Sequence, residues 1–281
     1  MKYILILISA LSFQAYAASQ DFCNGRVLKT LSSYYPNLEK EYFDSHVRKS
    51  LLKLHLNDVN KRHIYTQWGS LDGSSDCKVW PAHPELALIV VKVELPPYHK
   101  GQQETDYEFE FFVVSVKTGE ILNHYIDPDK IYSGTMRQGD IKLDTAYYKL
   151  DDKTIAFGMR VNEYLASSSF NSGHWKNLSL YVLTNNSLKK IVNSLTIENF
   201  GGEHNGGRSG LKPEDFYGEF SSKKKSIIIK ENSTNGYADL LVKNKLYQYT
   251  EKGDRKFDEK RSQNSYTLKY NGQVYVLPDE L

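Results

Sequence analysis

Cysteine is nearly absent from this chain, with two residues, Cys23 and Cys77, among 281. So small a number excludes a disulfide-dense mini-scaffold and a four-cysteine zinc site. An excess of one charge is lacking too. Lys and Arg number 36 against 34 Asp and Glu, a formal charge of +2, which excludes a polybasic nucleic-acid binder. After the N-terminus no apolar run is long enough to cross a bilayer as a helix. The best of them, Leu86–Val91, has the length of a strand. Catalytic signatures are missing as well: there is no GxSxG elbow, Walker loop, dinucleotide fingerprint or HExxH helix. A charged fraction of 25% and a hydrophobic fraction of 40% exclude a disordered chain.

What is present begins with an address. Lys2 precedes an apolar run from Ile4 to Phe13, and Ala15-Tyr16-Ala17 supplies a small-x-small cleavage pattern. This order is that of a secretory signal peptide. Cleavage after Ala17 removes Lys2 and leaves a charge of about +1, too small to steer a partner by net charge. The mature chain is expected in the periplasm, or secreted, with no membrane span. In an oxidising compartment the two thiols are expected to pair, Cys23 with Cys77.

Tyrosine is the compositional outlier, with 21 residues against 12 Phe and 3 Trp, and such a chain favours sheet. Residues 24–60 read as helical. From Leu38 the residues Leu38, Tyr42, Phe43, Val47, Leu51, Leu52 and Leu54 recur at three- and four-residue steps, with Asn37 as N-cap. A short strand is expected at His63–Trp68. From Cys77 the period becomes two. Strands are expected at Leu86–Leu95, Tyr107–Ser115, Ile121–Ile126, Ile141–Leu143, Lys153–Asn162, Leu178–Leu183, Leu188–Phe200, Ser226–Glu231, Ala238–Tyr249 and Tyr266–Leu277. Turn signals separate several of them: Thr118-Gly119, Asp151-Asp152, Asn185-Asn186, Asn235-Gly236 and Asn271-Gly272. The expected fold class is mainly β, an antiparallel sandwich or partial propeller-like sheet stack with an N-terminal helical segment. The expected organisation is a signal peptide at 1–17, a helical segment at 18–76 and a β domain at 77–281, divided near 201–210 by a glycine-rich stretch.

That stretch, Gly201–Gly210, reads as a connector, a partner-recognition loop or part of an active site. His204 and Arg208 are its candidate contact residues. His174-Trp175 and Tyr217 are further candidates for partner binding, because rigid amphipathic rings suit interfaces. Tyr147-Tyr148, Trp175, Phe216-Tyr217 and Tyr247–Tyr249 are candidates for one exposed patch. Asp140 with Asp144, and Glu214 with Asp215, read as turn and surface carboxylates. Lys223-Lys224-Lys225 reads as a solvated hairpin end or an edge-strand guard. The eight histidines lack ligand spacing. No catalytic residue, cofactor or metal set is expected.

The stretches Asn235-Gly236-Tyr237-Ala238-Asp239-Leu240-Leu241-Val242 and Tyr266–Val276, together with Cys77–Pro81 and Ile155–Val161, resemble a family of uncharacterised exported β-rich proteins of Gram-negative bacteria. The likeness spans roughly 77–281 and implies location and a β fold, with no activity attached. The first stretch is also similar to the FG-GAP blade of integrin-type propellers. The matching Glu231–Asn235 segment lacks that blade's aspartates, so calcium ligation is not implied.

These features lead to an expected non-enzymatic, periplasmic protein-interaction module. Its concrete form is an immunity protein or inhibitor that neutralises a toxin or cell-wall enzyme, with another periplasmic or incoming protein as partner. A carbohydrate- or envelope-binding module is the alternative, and a hydrolase of unrecognised type a third.

Overall fold

Period-two patterning dominates the chain, and the computed structural model is correspondingly built of antiparallel strands. It describes residues 22–23, 26–35, 38–43, 51–56, 63–66, 77–95, 106–132, 136–165, 171–185, 187–205 and 215–278. The signal peptide read at 1–17, the Asn37 cap and Arg208 lie outside the described residues. Among the described residues no helix is long and apolar enough to cross a membrane.

The strands are β1 (Leu38–Phe43), β2 (Leu51–Leu56), β3 (His63–Thr66), β4 (Cys77–Trp80), β5 (His83–Glu94), β6 (Asp106–Ser115), β7 (Ile121–Ile126) and β8 (Ile131–Tyr132). They continue with β9 (Met136–Lys149), β10 (Ile155–Leu165), β11 (Asn171–Thr184), β12 (Ser187–His204), β13 (Tyr217–Thr234), β14 (Tyr237–Lys252) and β15 (Arg255–Leu268). A helix, α1, spans Val27–Tyr34. The mainly β, antiparallel class with a short N-terminal helix is therefore what the sequence forms. The chain divides into two compact units, 1–133 with 183–188, and 134–182 with 189–281.

The helical reading of 24–60 needs correction beyond Tyr34. Leu38–Phe43 and Leu51–Leu56 are strands paired in register, Tyr42 with Leu52 and Leu38 with Leu56. Leu52, Leu54 and Leu56 also alternate, so the segment supports both periods. Pairing with β3, which itself pairs with β5, supplies a sheet edge for it to extend, and tertiary context overrides local spacing.

In the first unit the sheet runs β1-β2-β3-β5-β6-β7, with β4 on β5 and β8 on β6. Val27, Leu31 and Tyr35, preceded by Phe22 and Cys23, bury one face of the helical segment. They pack on Val79, Ala87, Ile89, Val91, Phe112 and Val114. Leu88, Val90, Phe111 and Val113, on the opposite pleat face, are buried as well. Burial on both faces explains why β5 reads as an unbroken apolar run. Cys23 and Cys77 are bonded, with sulfurs 2.07 Å apart, tying this segment to β4. Two polar clamps add to it. Arg26 and Thr30 donate to carbonyls of the 116–119 turn. Tyr35 donates to Glu110 Oε2 at 2.7 Å, and His124 Nε2 lies 2.7 Å from the same oxygen.

The second unit is a seven-stranded meander, β9 to β15 in sequential order. Its turns follow their local chemistry. Asp151 accepts the N–H groups of Lys153 and Thr154. Asn235 and Gly236 take φ of 51° and 94°, a two-residue turn whose twist matches its strands. The core gathers Leu178, Leu180, Ile191, Ile197, Leu240, Val242 and Leu268. The expected strand Tyr266–Leu277 is only partly one. β15 ends at Leu268, and a tight turn brings Tyr270 opposite Tyr275. Tyr275 is buried there and donates to the carbonyl of Ala238 at 2.6 Å.

Candidate functional site

The site follows from register. Across β13, β14 and β15 the residues on one pleat face line up in rungs. The first rungs are Ile229–Leu240–Leu268 and Ile227–Val242–Tyr266, and they belong to the core face. The next are Lys225–Asn244–Asn264 and Lys223–Leu246–Ser262. The same face thus changes from aliphatic to amide, hydroxyl and ammonium within two rungs. The strands extend past the apolar core, and their inner face becomes the floor of a groove of about 390 Å³.

Each wall of the groove has its own chemistry. Trp175 from β11 lines one side, and Asn199 from β12 stands opposite Lys223. Gly173 leaves room for the indole, since a Cβ there would lie 2.2 Å from Trp175 Cη2. The ring therefore packs on its own strand instead of rotating freely. Tyr266 lies beside Lys225, whose ammonium is 5.9 Å from the ring centre, and burial pushes the Tyr266 phenol pKa above its ordinary value. Asn244 Oδ1 is buried and accepts no hydrogen bond, a costly state for an amide oxygen. The groove is therefore lined by an indole face, two lysines and several amides and hydroxyls.

The sequence-selected residues fall in two places, with His204 and Tyr217 brought together at the end of the β12–β13 ladder and His174-Trp175 on β11. Trp175 lines the groove. His174, its neighbour on the opposite pleat face, stacks on Tyr164 with ring centres 4.9 Å apart. His204 ends β12, 5.8 Å from the Phe216 ring. Tyr217 donates to Glu219 Oε1 at 2.8 Å on its own strand. Gly201–His204, expected within a loop, instead continues β12 and pairs with Gly218–Ser221. The proposed single aromatic patch is also divided. Phe200, Phe216, Phe220, Tyr249 and Tyr247 form a stacked series, with Phe220 and Tyr249 at 5.3 Å. Phe220 occupies the space over Gly202.

Asp144 is a structural carboxylate. It accepts Tyr148 Oη at 2.8 Å, Arg160 Nη2 at 2.6 Å and the amide of Ala146. Burial works to raise its pKa, but these hydrogen bonds and the Arg160 charge outweigh it, so the pKa lies below the usual carboxylate range. Asp140 is exposed, Glu214 lies outside the described residues, and Asp215 accepts Asn205 through its backbone.

The groove residues Lys223 and Lys225 were legible as a basic run but misplaced. They do not guard an edge, because β13 lies between β12 and β14. Alternation sends Lys223 and Lys225 to the groove and Lys224 to the other face. Asn199, Asn244 and Asn264 carried no sequence signal, since an isolated Asn reads as a turn residue. Among the described residues no three His, Cys, Asp or Glu side chains gather as a metal site requires. Comparison with protein-family models, with curated proteins and with solved structures finds no match.

Proposed function

We propose that the second unit is a glycan-binding module of an exported protein. The observation that carries this reading is the groove itself, with an indole packed over Gly173 and a lining of amides and hydroxyls. An aromatic face supports a sugar ring through its C–H surface. Amide and hydroxyl groups both donate and accept, as a hydroxyl-rich ligand demands. The Cys23–Cys77 bond suits an oxidising compartment, which accords with the periplasmic location read from the first seventeen residues.

The competing reading, an immunity protein or inhibitor for a toxin or cell-wall enzyme, has less support. Of its contact residues, His204 and Tyr217 are neighbours at the end of the β12–β13 ladder, whereas Trp175 and His174 lie on opposite faces of β11.

Glycan-array binding by the native protein tests the proposal. Trp175→Ala is expected to weaken binding about tenfold or more, the equivalent of roughly 1.4 kcal/mol. Trp175→Tyr, which keeps a stacking face, should retain most of the affinity. If the native protein binds no glycan, the reading is wrong.

A further inference from the structure

The groove continues beyond its own rim. Leu246, Ser262 and Gln263 line it and also line a second depression, of about 610 Å³, shared with Lys224, Lys245 and Arg261. Both belong to the second unit, and β15 is the edge strand between them. Register builds the second depression on the opposite pleat face, where the rungs are Ser226–Lys243–Ser265, Lys224–Lys245–Gln263 and Ser222–Tyr247–Arg261.

Three features single out this strip. Lys224 and Lys245 stand directly opposite each other, and like charges so placed destabilise an antiparallel pair. The acid facing Lys224 from β12 is Glu198, which accepts Lys176 Nζ at 2.8 Å and also feels the Lys224 charge, so one carboxylate is shared between two lysines and none faces Lys245 across β13. Arg261 lies 5.1 Å over the Tyr247 ring, and its contact with Glu259 is 3.6 Å at an exposed edge, where water screens it. The third feature is in β15 itself. Arg255–Arg261 is densely charged, whereas Ser262-Gln263-Asn264-Ser265 is uncharged and small-to-medium in size, a saddle over the edge where groove and strip meet.

We infer that the ligand is an acidic polysaccharide, carrying carboxylates, whose chain crosses the β15 edge at Ser262 and Gln263. Its inner sugars lie on Trp175 and Asn244. An outer carboxylate sits between Lys224 and Lys245, with Arg261 alongside. The carboxylate turns a repulsive cross-strand pair into a chelating one and keeps the two lysines from wasting that position. This inference rests on the glycan reading of the groove and adds its charge, its length and its path.

Titration calorimetry with oligosaccharides from disaccharide to octasaccharide tests it. Hyaluronan and oligogalacturonate fragments serve as carboxylated probes, chitin and maltodextrin fragments as neutral ones. The expected result is preference for a carboxylated series, affinity that rises with length, and weakening by salt. Lys224→Gln with Lys245→Gln is expected to weaken the longest acidic fragment about tenfold and to leave the shortest fragment unaffected. These residues are exposed, and urea unfolding should confirm an intact fold. Equal binding of neutral and acidic fragments, or a double variant like the native protein on every length, overturns the inference while the glycan reading stands. Binding of inorganic polyphosphate with every carboxylated fragment ignored also overturns it. Binding of none of these probes overturns the inference, and a blank glycan array as well removes both.

Discussion

Asn244 is where function and stability pull apart. Its buried Oδ1 accepts nothing within the protein, and an unmatched buried polar atom costs on the order of 1–3 kcal/mol. Leucine has nearly the same shape without the polar atoms. Asn244→Leu is therefore expected to raise stability by about 1 kcal/mol in urea unfolding while weakening glycan binding, because it removes one amide from the groove lining. Unchanged binding would remove Asn244 from the site. Asp144 has the opposite balance, since both its oxygens accept hydrogen bonds within the protein, from Arg160, Tyr148 and Ala146. Its pKa in the folded protein is lower than in the unfolded chain, despite burial that works the other way. Its stabilising contribution is complete above the unfolded value of about 4 and is lost as the pH falls through the lower folded value. Asp144→Asn should destabilise the protein at neutral pH. The gap from the native protein should close in acid, as measured by unfolding across pH 2–7. A gap independent of pH would show that the charge is not what matters.

At the level of elements, β15 shows why one strand was not read from the sequence. The expected strand began at Tyr266, yet β15 runs from Arg255, and its residues are exposed up to Ser265. A strand with water on both faces has no apolar alternation to find. Its charges do a different task, since β15 is an edge with one row of backbone groups unpaired within the sheet. Replacing Glu259 and Lys260 with threonine removes that guard while raising strand propensity. Concentration-dependent self-association in size-exclusion chromatography is the expected outcome, and a strictly monomer-like elution unchanged from the native protein would count against the guard. The buried strands were legible for the converse reason. Leu86–Leu95 and Tyr107–Ser115 were expected within three residues of β5 and β6, because burial forces apolar residues into them. The helical reading of 24–60 failed at Leu51–Leu56 because that segment carries two periods at once, and the neighbouring strand β3 decided between them.

For the molecule as a whole, two cysteines in 281 residues left a single intramolecular pairing, and the structure makes that bond. It closes a sequence separation of 54 residues, worth about 4 kcal/mol on the chain-entropy account. The Cys23→Ser, Cys77→Ser variant should lose stability of that order in the first unit, where the helix packs on the sheet. Urea unfolding with and without reductant reads it, and an unchanged midpoint would contradict the assignment. Local chemistry settled several features without help. The antiparallel β class, the turns at Asp151, Asn235-Gly236 and Asn271-Gly272, and the cysteine partners follow from residue type, since turn geometry and period two are properties of neighbouring residues. Register is not such a property. That Lys225, Asn244 and Asn264 share a rung, and that Lys224 meets Lys245, depends on pairing between residues far apart in sequence, as Lys225 and Asn264 are. Only the folded sheet decides which side chains stand side by side, and a binding groove is a statement about such neighbours.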